Sequence, residues 1–354
     1  MNILANNIHG QPESLANTLR YLSGDGAAAM TEAAALLRSA SKIVITGMGA
    51  SLFASIPLQY HLSSLGLNVV AIEAAELLHY LDHAWKDAVV IMVSRSGESV
   101  EIARLLEKMK NNLPVIGVSN EPKSLLARTA AISLNIASLQ DQIVAIQTYT
   151  GTLLTLHLLG SYLTDSSNSA VEEVHGLLPT FASLVEANMS SITEWDAFLT
   201  PPASVYLLAR GASLASAYEG ALLFHEVSKS PTVTMPIASF RHGPVEVVDQ
   251  HFRAAIFAPQ DHTREFNLSL AHDIVRFGGQ VRVIGQPASA HQLEWCSVPS
   301  ASPTLAPIFE IVPLQAAAYR LAVLRGIEPG SFRFAPQVAT DEASFGPSPA
   351  TQAK

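Results

Sequence analysis

The sequence predicts an α/β protein of two parallel sheets, each with helices on both faces. Three observations carry this. Val- and Ile-rich strand segments alternate with helical segments, the order of a parallel sheet covered on both sides. The strand–turn–helix pattern returns after about 160 residues: TGMGASLFAS at 46–55 is echoed by LARGASLASA at 208–217, both with Gly-Ala-Ser-Leu after a strand. A chain of 354 residues, 49% of them apolar, has material for two cores.

The elements follow in order. An amphipathic helix is expected over 12–38, broken at SGDGA. SKIVITGMGASLFAS then reads as strand, tight turn and helix. LNVVAIEAAELLHYL and DAVVIMVSRSGESVEIARLLEKMK repeat that order, and LPVIGVSN and AAISLNI add two more strands. The run 143–163 is apolar but interrupted by Gln147, Tyr149 and His157, and reads as a buried helix rather than a membrane span. In the second half ASVYLLARG, TVTMPIAS, HFRAAIFAP and QVRVIGQ supply strands, with a helix near 262–277. FEIVPLQAAAYRLAVLRG is expected to give a closing strand and helix. The organisation so read is a helical segment 1–38, a first domain 39–163, a helical connector 164–200, a second domain 201–328 and an irregular tail 329–354.

Bulk properties narrow the function. Thirty acidic against 21 basic residues give a net charge of −9, which argues against a nucleic-acid or anionic-membrane surface. A small anion needs only local donors, so it stays open. The single cysteine, Cys296, rules out an intrachain disulfide and suits a reducing compartment, here the cytoplasm. The start MNILANNIHGQPESL shows no basic region followed by an apolar one, so no signal peptide is expected.

Among the motifs, GMGAS at 47–51 allows backbone to approach a ligand, but Leu52 stands where a dinucleotide fingerprint would continue, and no Walker lysine is present. SRSGES at 94–99 says more. Ser94, Ser96 and Ser99 put three hydroxyls in a turn that opens a helix, Gly97 permits the bend, and Arg95 can steer an anion. Such a turn suits a dianionic phosphate. Ordinary helix capping is the alternative, but it needs one hydroxyl rather than three.

In the second half, AYEGALLFHEVSK reads as a helix with Glu219 and Glu226 seven residues apart, nearly two turns, so that both carboxylates share one side. Among Leu222, Leu223, Phe224 and Val227 such a carboxylate could act as a base; a solvated face is the alternative. His242 precedes Gly243-Pro244, a rigid pair that either aims the imidazole into a site or leaves it idle at the surface. His225 is given no role. The twelve histidines show no metal-ligand spacing, and no Gly-x-Ser-x-Gly elbow is present. Neither a metal nor another cofactor is expected.

These stretches resemble the double SIS (sugar isomerase) domains that form the isomerase part of glutamine–fructose-6-phosphate amidotransferases. The resemblance runs from IHGQPESL at 8–15 through EGALLFHE and FRHGP to TDE at 340–342. It implies two flavodoxin-like domains. It also implies that Ser94, Arg95, Ser96, Gly97 and Ser99 hold a sugar phosphate, with Ser51 near the sugar. Glu226 matches the family's base, and His242 matches the ring-opening histidine, which often reaches across from a neighbouring subunit. Arg241 replaces the lysine before that histidine.

The departures are informative. Gln337 stands where the amidotransferases have a Schiff-base lysine, and a carboxamide cannot form that bond. Ala145, Ile146, Gln147, Thr148 and Tyr149 replace the family's Ser-Thr-Lys-Ala-Phe. No nucleophilic cysteine domain precedes residue 9, so a complete glutamine-dependent synthase is not expected. The resemblance therefore implies an amino-sugar-6-phosphate deaminase/isomerase, with Gln147, Glu219 and Gln337 counted among the substrate-binding residues. Phosphosugar aldose–ketose isomerase, fructosamine-6-phosphate deglycase and a non-catalytic sugar-phosphate sensor stay open beside it. The partners implied are a phosphosugar and a second copy of the chain, with no nucleic acid and no membrane.

Overall fold

A computed structural model describes residues 2–81, 83–109, 114–200, 204–289, 291–334 and 341. The chain forms two compact units. One spans Gly10–Pro179. The other spans Thr180–Ser331 and takes in the N-terminal residues up to His9. The division falls at Pro179, inside the helix Ser167–Ser190.

The first unit holds a five-stranded parallel sheet in the order β2-β1-β3-β4-β5. Its strands are β1 Ile43–Gly47, β2 Val69–Glu73, β3 Val89–Val93, β4 Val115–Ser119 and β5 Ile132–Asn135. β1, β3 and β4 are buried along their whole length, which is why they are continuous apolar runs rather than alternating ones. On one face Val44, Val90 and Met92 pack with Leu77, Ile102, Leu105 and Leu126. Each such side chain contributes about 1.5–3 kcal/mol on full burial. The run expected as a buried helix is one: Gln147–Leu163, buried from Gln147 through Ser161.

The second unit repeats the plan. Its sheet has the order β10-β9-β8-β6-β7, with β6 Val205–Ala209, β7 Thr232–Pro236, β8 Arg253–Phe257, β9 Gln280–Gly285 and β10 Glu294–Ser297, all parallel. Leu208, Ile256 and Val283 pack with Phe240, Leu268 and Ile274. The α/β class and the two parallel sheets are as the sequence predicts.

Three local expectations need correction. The N-terminal helix begins at Ile3, not at 12, and runs to Ser23 with Pro12 inside it; a second helix, Ala27–Arg38, follows the break at 24–26. The segment from 306 contains no strand: Ala306–Leu324 is one helix, and the closing strand is β10 before it. Pro307 in the first turn favours that helix start, whereas a short β-branched run reads equally well as strand. This helix is long and apolar enough to cross a membrane, yet 78% of its apolar window is buried inside the protein. Third, the helix carrying Glu219 stops being α-helical at Leu223 and continues as a π-turn, Phe224–Ser228.

Candidate active site

In the first unit the chain reverses direction across the sheet between β1 and β3. Ligands in open parallel sheets bind at the carboxyl ends of the strands at such a point. Gly47 at the end of β1 pairs with Val93 at the end of β3, so the turns that follow, GMGAS and SRSGES, lie side by side. A β-carbon at Gly47 would stand 2.7 Å from the Val93 carbonyl oxygen, so only glycine allows this approach.

The SRSGES turn is held by its own hydroxyls. Gly97 N–H donates to Ser94 Oγ at 3.1 Å, and Glu98 N–H donates to Ser96 Oγ at 3.2 Å. Ser94 Oγ and Ser99 Oγ are 3.4 Å apart. In the first two bonds the serine oxygen accepts, so neither uses a serine proton, and Ser96 keeps its own for a ligand. The helix Val100–Met109 starts here, and its first-turn N–H groups have no intrahelical acceptor. Hydroxyls and a helix end thus converge, as an anion cradle requires.

The neighbouring strand fixes the turn in place. Asn120 N–H donates to Arg95 O, Leu126 N–H to Gly97 O, and Leu125 N–H to the Glu98 carboxylate at 2.7 Å. Ser51 opens the short helix after β1, half-buried, with its N–H bonded to Met48 O. Gln147 is buried. Its carbonyl oxygen lies against Gly10, and its Nε2 donates to Gln140 O at 3.4 Å, so the side chain is engaged in packing at the start of its helix. Asp141 caps that helix by accepting from the N–H groups of Ile146, Gln147 and Thr148 at 2.9–3.0 Å.

Glu226 and His242 belong to the second unit. Glu226 is half-buried on the π-turn, whereas Glu219 is 1% exposed inside the unit. The two carboxylates therefore do not share an environment. A π-turn carries more residues per turn than an α-helix and rotates Glu226 away from the α-helical register of Glu219. The turn is closed by Lys229, left-handed at φ 54°, whose Nζ bonds the backbone oxygens of Glu226 and Ser331. His225, which the sequence left without a role, receives the Thr232 N–H at Nε2, 3.1 Å away, and so ties the π-turn to β7.

His242 ends the helix Ile237–Arg241 and is exposed; Gly243 beside it has φ 125°. Arg241 is anchored instead, donating to Asp273 at 3.1 Å. Gln337 lies outside the described residues. Among the described residues no group of three or more His, Cys, Asp or Glu could hold a metal.

One ionisable residue escaped the sequence reading. Glu310 sits in the helix Ala306–Leu324 and accepts from Ser213 Oγ at 2.8 Å and Ser216 Oγ at 3.2 Å. Its only sequence signal is an acidic residue in the first turns of an otherwise apolar stretch.

Comparison with known proteins agrees with this fold. The family model of the SIS domain matches residues 36–162 and 198–325. The isomerizing glutamine–fructose-6-phosphate aminotransferase of Pyrococcus horikoshii is 30% identical over 305 residues, covering 84% of this chain and 51% of that protein. Its counterpart in Pyrobaculum aerophilum is 31% identical over 347 residues, covering 95% and 57%. The chain thus spans about half the length of these relatives. Three solved structures share the fold. The C-terminal domain of the Francisella tularensis glucosamine-fructose-6-phosphate aminotransferase has a TM-score of 0.79 at 20% identity, covering 92% of this chain and 96% of its own. Glucosamine-6-phosphate deaminase of Thermotoga maritima follows at 0.75 and 18%, covering 96% and 99%. Tagatose-6-phosphate ketose/aldose isomerase of Escherichia coli gives 0.74 and 18%, covering 95% and 96%.

Proposed function

Because the chain belongs to the SIS domain family, we propose that it is a phosphosugar-processing enzyme, an amino-sugar-6-phosphate deaminase/isomerase. The observation that carries this reading is the SRSGES turn: serine hydroxyls, that of Ser96 with its proton left to donate, set at a helix start beside GMGAS. The turn would hold the substrate phosphate. Binding energy spent there positions the sugar carbons for reaction. His242 would move a proton as the ring opens. Glu226 would take the proton from C2 and return it to C1. With an amine on C2, this leaves an imine at C2; water adds to it, and ammonia departs to give the ketose phosphate. No enzyme lysine is needed for that hydrolysis, which fits Gln337 in the position of the amidotransferase lysine.

The exposure of His242 supports the further proposal that it serves a site on a second copy of the chain in a homodimer. Plain aldose–ketose isomerisation is the second reading. It uses the same Glu226 shuttle on a substrate with oxygen at C2, and the fold of a tagatose-6-phosphate isomerase matches along nearly the whole chain.

The deciding experiment incubates the protein with glucosamine 6-phosphate and, separately, with aldose 6-phosphates, and measures ammonia and ketose phosphate independently. Ammonia and fructose 6-phosphate in equal amounts are expected. Ketose formation without ammonia would turn the reading to isomerisation, and binding without either product would turn it to a sensor.

A further inference from the structure

The second unit has its own reversal point, between β6 and β8. Ser213 stands there in the repeated Gly-Ala-Ser-Leu, in the place that Ser51 takes in the first half. No serine-rich turn follows β8. The crevice receives a carboxylate from the protein itself: Glu310, 2% exposed, bonded to Ser213 and Ser216. Burial pushes its carboxyl up to about 7, against the pull of the two serine hydrogen bonds, and the charge of Asp261 adds to the rise.

Glu310 faces a cavity of about 20 Å³, lined also by Gln260, Gly285 and Ala306. That volume holds one water-sized atom. Gln286, Val298 and Pro299 line both this cavity and an open cleft of about 520 Å³, which adds the hydroxyls of Thr180, Ser183 and Ser297. The cleft has the volume of a small-molecule site. Cavity and cleft both lie within the second unit.

We propose that the cleft and cavity form a second ligand site, for a small hydroxylated primary amine whose ammonium group pairs with Glu310. The chemistry selects that class. A buried carboxylate is costly unless a cation meets it. No lysine or arginine lines the cavity. The buried guanidinium of Arg264 donates to the backbone oxygens of Ala258 and Gln286. The serines use two acceptor positions of a carboxylate that has about four. An anion is repelled by Glu310 and Asp261, and a neutral polyol leaves the carboxylate without its cation. An ammonium head fits the small cavity, and hydroxyls on the body of the ligand meet Gln286, Ser297, Thr180 and Ser183. None of these residues takes part in the phosphosugar reaction proposed above, so this site stands or falls separately.

The test is calorimetric titration of the full chain at pH 7 with D-glucosamine and, as its neutral counterpart, D-glucose. Saturable binding of glucosamine but not of glucose is expected, with a proton released as the amine displaces it from Glu310, seen as a dependence of the heat on the buffer. Glu310→Gln should weaken glucosamine by about tenfold or more. Ser297 is exposed, so Ser297→Trp blocks the cleft without touching the core and should cause the same loss even where Glu310→Gln does not fold. Binding should persist in a Ser94→Ala/Ser96→Ala variant. Equal affinity for glucose, no saturable heat with glucosamine, or binding that survives Ser297→Trp would each overturn the proposal.

Discussion

A β-carbon on Gly97 would stand 2.2 Å from the Ser124 hydroxyl oxygen and 2.6 Å from its β-carbon. Gly97 also has φ +64°, in the left-handed region. Ser124 cannot swing aside freely, because its Oγ caps the helix Leu125–Thr129 by accepting from Ala127 N–H. Gly97→Ala therefore combines backbone strain with a collision, at roughly 1–3 kcal/mol for the strain alone. The turn must shift to relieve it. Lower stability in urea together with weaker binding of a sugar phosphate is expected. A variant that binds sugar phosphate as the parent does would show that the turn does not hold the ligand.

Ser96→Ala isolates the hydroxyl from the backbone. Ser96 Oγ accepts from Glu98 N–H and keeps its own proton for an anion. A hydrogen bond to a charged group is worth about 1.5–3 kcal/mol, so affinity for a phosphorylated sugar should fall about ten- to a hundredfold. The unphosphorylated sugar should be almost unaffected. Comparison of the two dissociation constants tests this, and an equal loss for both would remove Ser96 from the phosphate site.

This turn was legible in the sequence because everything it needs is local: three serines, one glycine and a helix start within six residues. The parallel sheets were legible for a similar reason, since β1, β3 and β4 are buried along their length and appear as unbroken apolar runs. The π-turn at Phe224–Ser228 was not. A helical wheel assumes a constant 3.6 residues per turn, and that assumption placed Glu219 beside Glu226 when one is buried and the other half-exposed. Glu310 was hidden for another reason. Its partners Ser213 and Ser216 lie more than ninety residues earlier, and only the packed second unit brings them together.

His157 links pH to stability. Burial, reinforced by the nearby charge of His61, pushes its imidazole down to about 4 from an ordinary 6.5. The folded state therefore takes up this proton less readily than the unfolded chain does. The unfavourable linkage is absent above pH 6.5, grows as pH falls from 6.5 towards 4, and levels off below that. Full development corresponds to on the order of 3 kcal/mol. Urea unfolding of the protein across pH 4–7 should show stability declining on the acid side, and His157→Leu should flatten that part of the curve. A parent and variant with parallel profiles would show that His157 is not the residue responsible.

Subunit mixing tests whether Glu226 and His242 serve one site from different chains. Glu226→Gln alone should remove the base and lower turnover by about 10²–10⁴-fold. Solvent-deuterium exchange at C2 should fall with it, while the sugar phosphate still binds. His242→Ala should slow ring opening in the same way. Suppose each site takes Glu226 from one chain and His242 from its twofold partner. A mixed dimer of the two variants then holds one site with both residues intact and one with neither. Random mixing makes half of the dimers mixed, so about a quarter of the parent activity should return after the two inactive proteins are unfolded and refolded together. If both residues act within a single chain, every site in the mixture lacks one of them and no activity returns. Refolding each variant alone provides the baseline, and recovery no greater than that baseline would assign both residues to the same chain.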